Sequence, residues 1–168
     1  MADRAERTAL RRYAMDLLAR REHSRLELEE KLRRHCGKVA GKAARSRTWD
    51  ADRHSEDADN ADVSDVDVLI ADTLNALAED GLQSDSRYAE VLIRSRVNRG
   101  QGPLKIRADL RQRGLDGEAV EPLLEDYAEQ WPQLALQVVE RRFGSDAAAD
   151  RRDWARRARF LAGRGFPE

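Results

Sequence analysis

Three stretches of the chain end alike: Leu32-Arg-Arg-His-Cys-Gly37, Leu110-Arg-Gln-Arg-Gly114-Leu115 and Leu161-Ala-Gly-Arg164-Gly165-Phe166. Each places a leucine on a buried face, a basic residue in the last turn and a glycine just beyond. That is how a helix satisfies its final carbonyls and then turns. The recurrence predicts one supersecondary unit used three times, which confines the chain to a thin array of helices.

Composition agrees with such an array. Of 168 residues 40% are hydrophobic but only 5% aromatic, and 38% are charged, a balance suited to small helices that each keep one face in water. The net charge of -1 conceals segregation. Between Val91 and Arg113 the ionisable residues are Arg94, Arg96, Arg99, Lys105, Arg107, Arg111 and Arg113 against Asp109. Arg141, Arg142, Arg151, Arg152, Arg156, Arg157, Arg159 and Arg164 repeat the bias near the end. The single cysteine, Cys36, rules out an internal disulfide and reads as a small apolar residue. The N-terminus has no apolar leader core and no stretch approaches the roughly 20 apolar residues of a membrane span. A soluble, cytoplasmic protein is expected.

Helical spacing organises the rest. Leu10, Tyr13, Ala14 and Leu17 lie on one stripe, and Ser24 with Glu27 forms a capping box before a helix carrying Leu28 and Leu32. Residues 38–64 are poor in large apolar groups and read as a disordered, tethered insertion. Leu110 and Leu161 lie 51 positions apart and Leu32 and Leu110 lie 78 apart; the excess of 27 equals that block. Deleting it is therefore expected to leave thermal stability nearly unchanged. Helix resumes at Ser64 with Val66, Ile70, Leu74 and Leu77 inward and stops at Gly81. The second unit starts at Asp85 with Tyr88, Val91, Leu92 and Ser95 inward, and breaks at Gly100-Gln-Gly102. It restarts at Pro103 with Ile106 and Leu110, and ends in a helix capped by Asp116 with Val120, Leu123, Leu124 and Tyr127. The third unit opens at Trp131-Pro132, with Ala135, Val138 and Val139 inward. It continues from about Asp150 with Trp154, Ala158 and Leu161 at i, i+4, i+7. Trp131 and Trp154 are expected in the core, and by the repeat logic a last helix is missing, through natural shortening or truncation.

The basic rows are the functional signal. Arg107 and Arg111 share one stripe, as do Arg152, Arg156 and Arg159, and such rows suit phosphates or a carboxylate-lined groove; the plain alternative is a solvated helix face. Gly100-Gln-Gly-Pro103 has neither the preceding strand nor the Lys-Ser/Thr of a nucleotide loop, so it reads as an interhelical turn. His23, His35 and His54 lack metal-site spacing, and the acidic run from Asp50 to Asp62 lacks a glycine-pivoted loop, so no metal or cofactor is expected. Trp49 in the polar block is either a partner anchor or incidental. No nucleophile with a base is assembled, which argues against an enzyme.

Gly81-Leu-Gln-Ser-Asp-Ser-Arg-Tyr-Ala89, Arg94-Ser-Arg96, Gly102-Pro-Leu-Lys-Ile-Arg107 and Leu110-Arg-Gln-Arg-Gly-Leu115 resemble the RecX family, bacterial regulators of the RecA recombinase. Leu17-Leu-Ala-Arg-Arg-Glu-His-Ser-Arg25 resembles that family's first repeat, and Arg142-Phe-Gly144 and Arg159-Phe-Leu-Ala-Gly-Arg-Gly-Phe166 its third. The long insertion departs from the family pattern. The resemblance implies an all-α protein of tandem three-helix repeats that lies in the groove of the RecA filament on single-stranded DNA. It also implies modulation of RecA, mainly inhibition, in DNA repair and the SOS response.

Taken together, an elongated, curved all-α array is expected, with repeats at 1–82, interrupted at 38–64, at 83–129 and at 130–168. The expected contacts to the RecA–single-stranded-DNA filament, and weakly to DNA itself, are Arg94, Arg96, Arg99, Lys105, Arg107, Arg111, Arg113, Arg151, Arg152, Arg156, Arg157 and Arg159. The chain is expected to be a monomer without membrane contacts. The rival readings are a DNA- or RNA-binding module that acts without RecA and a helical adaptor for another protein. Reversing Arg107 and Arg111 to glutamate is expected to abolish RecA inhibition.

Overall fold

A computed structural model of the chain describes the backbone of residues 2–47 and 57–167 and the side chains of 4–41 and 65–167. Every regular element among the described residues is helical. These are α1 (Ala2–Leu18), α2 (Arg25–Arg47), α3 (Asp57–Glu79), α4 (Asp85–Asn98), α5 (Pro103–Arg111), α6 (Glu121–Glu125), α7 (Trp131–Phe143) and α8 (Arg151–Arg164). Short 3-10 turns at Gly117–Ala119 and Ala128–Gln130 flank α6. The chain divides into two compact units, Met1–Ser84 and Asp85–Glu168.

The first unit is a three-helix bundle. Leu10 and Ala14 of α1, Leu28 and Leu32 of α2 and Ile70, Leu74 and Leu77 of α3 are buried together, each set at i, i+4 or i, i+3 on its helix. Truncating any of these leucines costs about 2–5 kcal/mol. The Ser24 hydroxyl accepts the Glu27 amide at 3.2 Å, as an N-cap should. The Glu27 carboxylate meets the Arg21 guanidinium and Nδ1 of His23, the latter at 3.2 Å.

Helix α2 does not stop at Gly37. It runs on to Arg47, and α3 begins at Asp57, so 38–47 and 57–64 are helix rather than a disordered tether. For 38–47 the reason is local: Lys-Val-Ala-Gly-Lys-Ala-Ala-Arg contains no proline and mostly strong helix formers, and one glycine costs only about 1 kcal/mol; at 57–64 the acidic residues suit a helix N-terminus. A Cβ at Gly37 would meet nothing within 4 Å, so this glycine is an ordinary exposed helical position. Trp49, Asp50, Asp52 and His54 lie outside the described residues, as do the side chains of 42–64.

The ending that does recur has a tighter spacing: leucine, glycine four residues on, then leucine or phenylalanine. It occurs at Leu77-Gly81-Leu82, Leu110-Gly114-Leu115 and Leu161-Gly165-Phe166. In each the residue after the glycine donates its amide to the leucine carbonyl, at 2.9, 3.1 and 3.1 Å. Each glycine has positive φ, +68°, +78° and +88°, the left-handed turn that closes a helix. Leu32 to Gly37 has one residue too many for that geometry.

In the second unit Tyr88, Ala89, Ile93, Ile106, Leu110, Leu115, Val120 and Leu124 form a core between α4, α5 and α6, with Trp131 packed against it. Val91, expected inside, is 50% exposed, and Ile93 takes the buried place at 1%. The helix expected after Asp116 is split because Pro122 occupies its first turn and removes a backbone donor, leaving a 3-10 turn and the short α6.

Candidate functional site

Two of the turns in the second unit are built against one another. Pro103 starts α5 without needing an amide donor, while the Gly102 amide donates to the Arg164 carbonyl at 2.9 Å and the Leu104 amide to the Gly165 carbonyl at 3.0 Å. The donors at the start of α5 are thus spent on the acceptors at the end of α8, and the two helix ends satisfy each other. The Arg164 guanidinium returns a bond to the Arg99 carbonyl at 2.9 Å. The Gly100–Pro103 segment is therefore an interhelical joint.

The candidate cations separate into two groups. Arg107 is clamped by Glu121 of α6, with Nη2 to Oε2 at 2.7 Å and Nε to Oε1 at 2.9 Å. The clamp raises Arg107 above its usual range and holds Glu121 below the usual carboxylate range. Arg96 Nε lies 2.9 Å from Asp109 Oδ2, and Arg113 donates to the Asp109 carbonyl at 2.8 Å, so Asp109 gathers cations from both ends of this stretch. Asp153 takes Arg156 at 2.6 Å and Arg157 at 2.8 Å. Desolvation opposes ionisation of Asp153, but the two guanidiniums prevail and lower its pKa. Arg157 also donates to the Asp146 carbonyl at 2.7 Å and ties α8 to the loop before it.

The remaining candidates, Arg94, Arg99, Lys105, Arg111, Arg151, Arg152 and Arg159, are exposed, and none has a charged partner among the described residues. A side chain already paired within its own helix bundle offers a ligand little. The unpaired ones are hydrated and free to meet an anionic partner. The two rows therefore survive in reduced form: Arg111 without Arg107 on α5, and Arg152 with Arg159 on α8, the second edged by Arg156.

Sequence reasoning missed the aromatic component. Phe143 of α7 and Phe160 of α8 meet edge to face, with centroids 5.3 Å apart at 88°. Arg142, Arg156 and Arg157 lie 5.7, 5.1 and 5.6 Å from the Phe143 centroid, and Arg164 lies 5.2 Å from that of Phe160. The signal was available in the alternation of arginine with Phe143 and Phe160.

Trp154 is not core. It is 65% exposed beside a cavity of about 500 Å³ lined by Val139, Ala158, Leu161 and Phe166, and α8 has no buried residue. On α5 the equivalent stripe, Ile106 and Leu110, is buried among residues of α4 and α6, whereas on α8 Ala158 and Leu161 face Val139 of α7 across an open cavity. Among the described residues no group of His, Cys, Asp and Glu could hold a metal ion, and no helix is long and apolar enough to cross a membrane.

Known proteins share this architecture. Residues 84–124 match the second three-helix domain of RecX and residues 128–167 its third. The chain is 42% identical to the regulatory protein RecX of Halorhodospira halophila, over 94% of this chain and 81% of that protein. It is 43% identical to that of Acidithiobacillus ferrooxidans, over 98% of this chain and 85% of that protein. The crystal structure of RecX from Lactobacillus salivarius superimposes with a TM-score of 0.68 at 22% identity, covering 99% of this chain and 91% of the other. A second crystal structure, of a regulatory protein RecX, also gives 0.68, at 19% identity and covering 96% of this chain and 69% of the other. With relatives this similar over nearly the whole chain, and with the helical repeats and their capped ends in place, the chain belongs to the RecX family of regulatory proteins.

Proposed function

We propose that this chain is a non-enzymatic regulator of the RecA recombinase, mainly an inhibitor, that binds the RecA filament on single-stranded DNA in DNA repair and the SOS response. Family membership supports the regulatory role. The observation that carries the binding mode is the set of exposed cations without partners on α4, α5 and α8. Affinity then comes from many modest charge contacts, each screened by salt, so binding weakens steeply as ionic strength rises. Such a regulator works by occupying a surface of the filament.

The Glu121 clamp changes which substitutions test this. Arg107→Glu would set two carboxylates against each other in a half-exposed pair, so lost inhibition would mix a lost intramolecular contact with a lost filament contact. Arg99→Glu with Arg111→Glu, both exposed and unpaired, is the cleaner pair. In a single-stranded-DNA-dependent RecA ATPase assay the wild-type chain inhibits at concentrations that barely shift naked DNA. The double variant, with unchanged helicity, needs at least tenfold more protein for the same effect. Unchanged potency would remove these cations from the site. Inhibition only once the DNA is coated would favour a nucleic-acid module that acts without RecA.

A further inference from the structure

The pair α7 and α8 leaves an open groove of about 570 Å³ lined by Arg142, Phe143, Arg156, Arg159 and Phe160. Its floor is mixed: both phenylalanines line it half-buried, and the Arg142, Arg156 and Arg157 guanidiniums lie within 5.7 Å of the Phe143 centroid, so rings and guanidinium planes share the surface. Its walls are cationic. The carboxylate paired with the groove's arginines is Asp153, already shared by Arg156 and Arg157, while Arg142 and Arg159 in the groove and Arg152 one turn away are exposed and paired with no acid among the described residues. The row Arg152, Arg156, Arg159 continues to Gly163, where a Cβ would meet nothing within 4 Å, so the end of the row is open.

Flat rings and guanidinium planes are surfaces on which an unpaired base stacks, and unpaired arginines at their rim suit the phosphates on either side. An acidic peptide would use the cations but has no need of the rings. A duplex would present phosphates but keep its base faces hidden. We propose that the α7–α8 groove is a stacking site for a base of single-stranded nucleic acid, with Phe160 and Phe143 as the platform and Arg142, Arg152 and Arg159 on the flanking phosphates. This rests on the reading that the basic faces contact DNA, and adds which form of the polymer they select.

The test compares a labelled single-stranded oligothymidylate with an abasic sugar–phosphate strand of equal length, using fluorescence anisotropy on the full chain across a salt series. The wild-type chain binds the base-bearing strand about five- to tenfold more tightly. Phe160→Leu loses that ratio and keeps the salt slope, whereas Arg142→Gln and Arg159→Gln keep the ratio and each lower the slope by about 0.7. If Phe160→Leu does not fold, the two exposed arginine variants carry the decision, and unchanged slopes overturn the site. A wild-type chain indifferent to bases, a ratio that survives Phe160→Leu, or duplex bound as tightly as single strand also overturns it. RecA ATPase run in parallel separates the two readings. Inhibition without base preference removes the groove and spares the RecA role, while base preference without inhibition does the reverse.

Discussion

Gly102 and Gly165 approach more closely than any side chain permits. A Cβ on Gly102 would overlap the Gly165 carbonyl, and one on Gly165 would overlap Lys105, whose backbone nitrogen would lie 2.5 Å away. Gly165 also has a φ of +88°, which L side chains rarely adopt. Neither overlap can be relieved by a rotamer change, because backbone is on both sides. Gly102→Ala or Gly165→Ala is therefore expected to destabilise the second unit by at least about 2 kcal/mol, read as a lower denaturant midpoint, whereas Gly37→Ala, at an open helical position, should stabilise the first unit by up to about 1 kcal/mol. Equal midpoints for Gly102→Ala and wild type would mean that the α5–α8 joint does not form. At this scale Gly165 was legible as a helix stop, because the leucine, basic and glycine signals are local. Its contact with Gly102 was not, since nothing in either segment names the other. The pairing of Arg107 with Glu121 was hidden for the same reason, as the two are 14 residues apart on different helices.

Helix boundaries show where local signals compete. The stripes Leu28–Leu32 and Ile70–Leu74–Leu77 marked the cores of α2 and α3, but their outer ends extend through residues with no large apolar face. Low hydrophobicity predicts absence of burial. It does not predict absence of helix where alanine, lysine and arginine run on without proline, as at 38–47, or where acidic residues open a helix, as Asp57, Asp59 and Asp62 do in α3. The two properties separate in one experiment. Replacing residues 38–64 by a short glycine–serine turn should lower the far-UV circular dichroism signal per molecule, because 38–47 and 57–64 are helical, while the melting midpoint of the Leu10–Leu77 core stays within a few degrees. A large loss of melting temperature would show that the extension packs on the bundle. The same competition explains α8. Trp154, Ala158 and Leu161 have the spacing of a core stripe, yet a stripe becomes core only when another element covers it.

At the scale of the molecule the histidines are distributed unevenly: His23, His35 and His54 all precede residue 85, so the second unit has none. His23 is 3% exposed, and burial, reinforced by the Arg21 charge, pushes its pKa below 6.5 despite the opposing pull of Glu27. A histidine depressed in the folded state binds its proton first in the unfolded state. Its cost is absent above about pH 6.5 and grows as pH falls from there towards the lowered folded value. Glu27 follows in the same direction at lower pH. Its half-buried site resists ionisation, but the Arg21 and His23 contacts hold it below 4.5, and that contribution is lost as the pH falls through the carboxylate range. The second unit has no histidine, and its shifted acids, Glu121 and Asp153, are held below the usual carboxylate range by arginines that stay charged. Hydrogen exchange corrected for intrinsic rates should therefore show protection at Leu10–Leu77 falling between pH 7 and 5 while that at Tyr88–Leu124 holds. His23→Gln should flatten the difference. Equal loss of protection in both units would show that His23 does not set the acid response and that the two unfold as one.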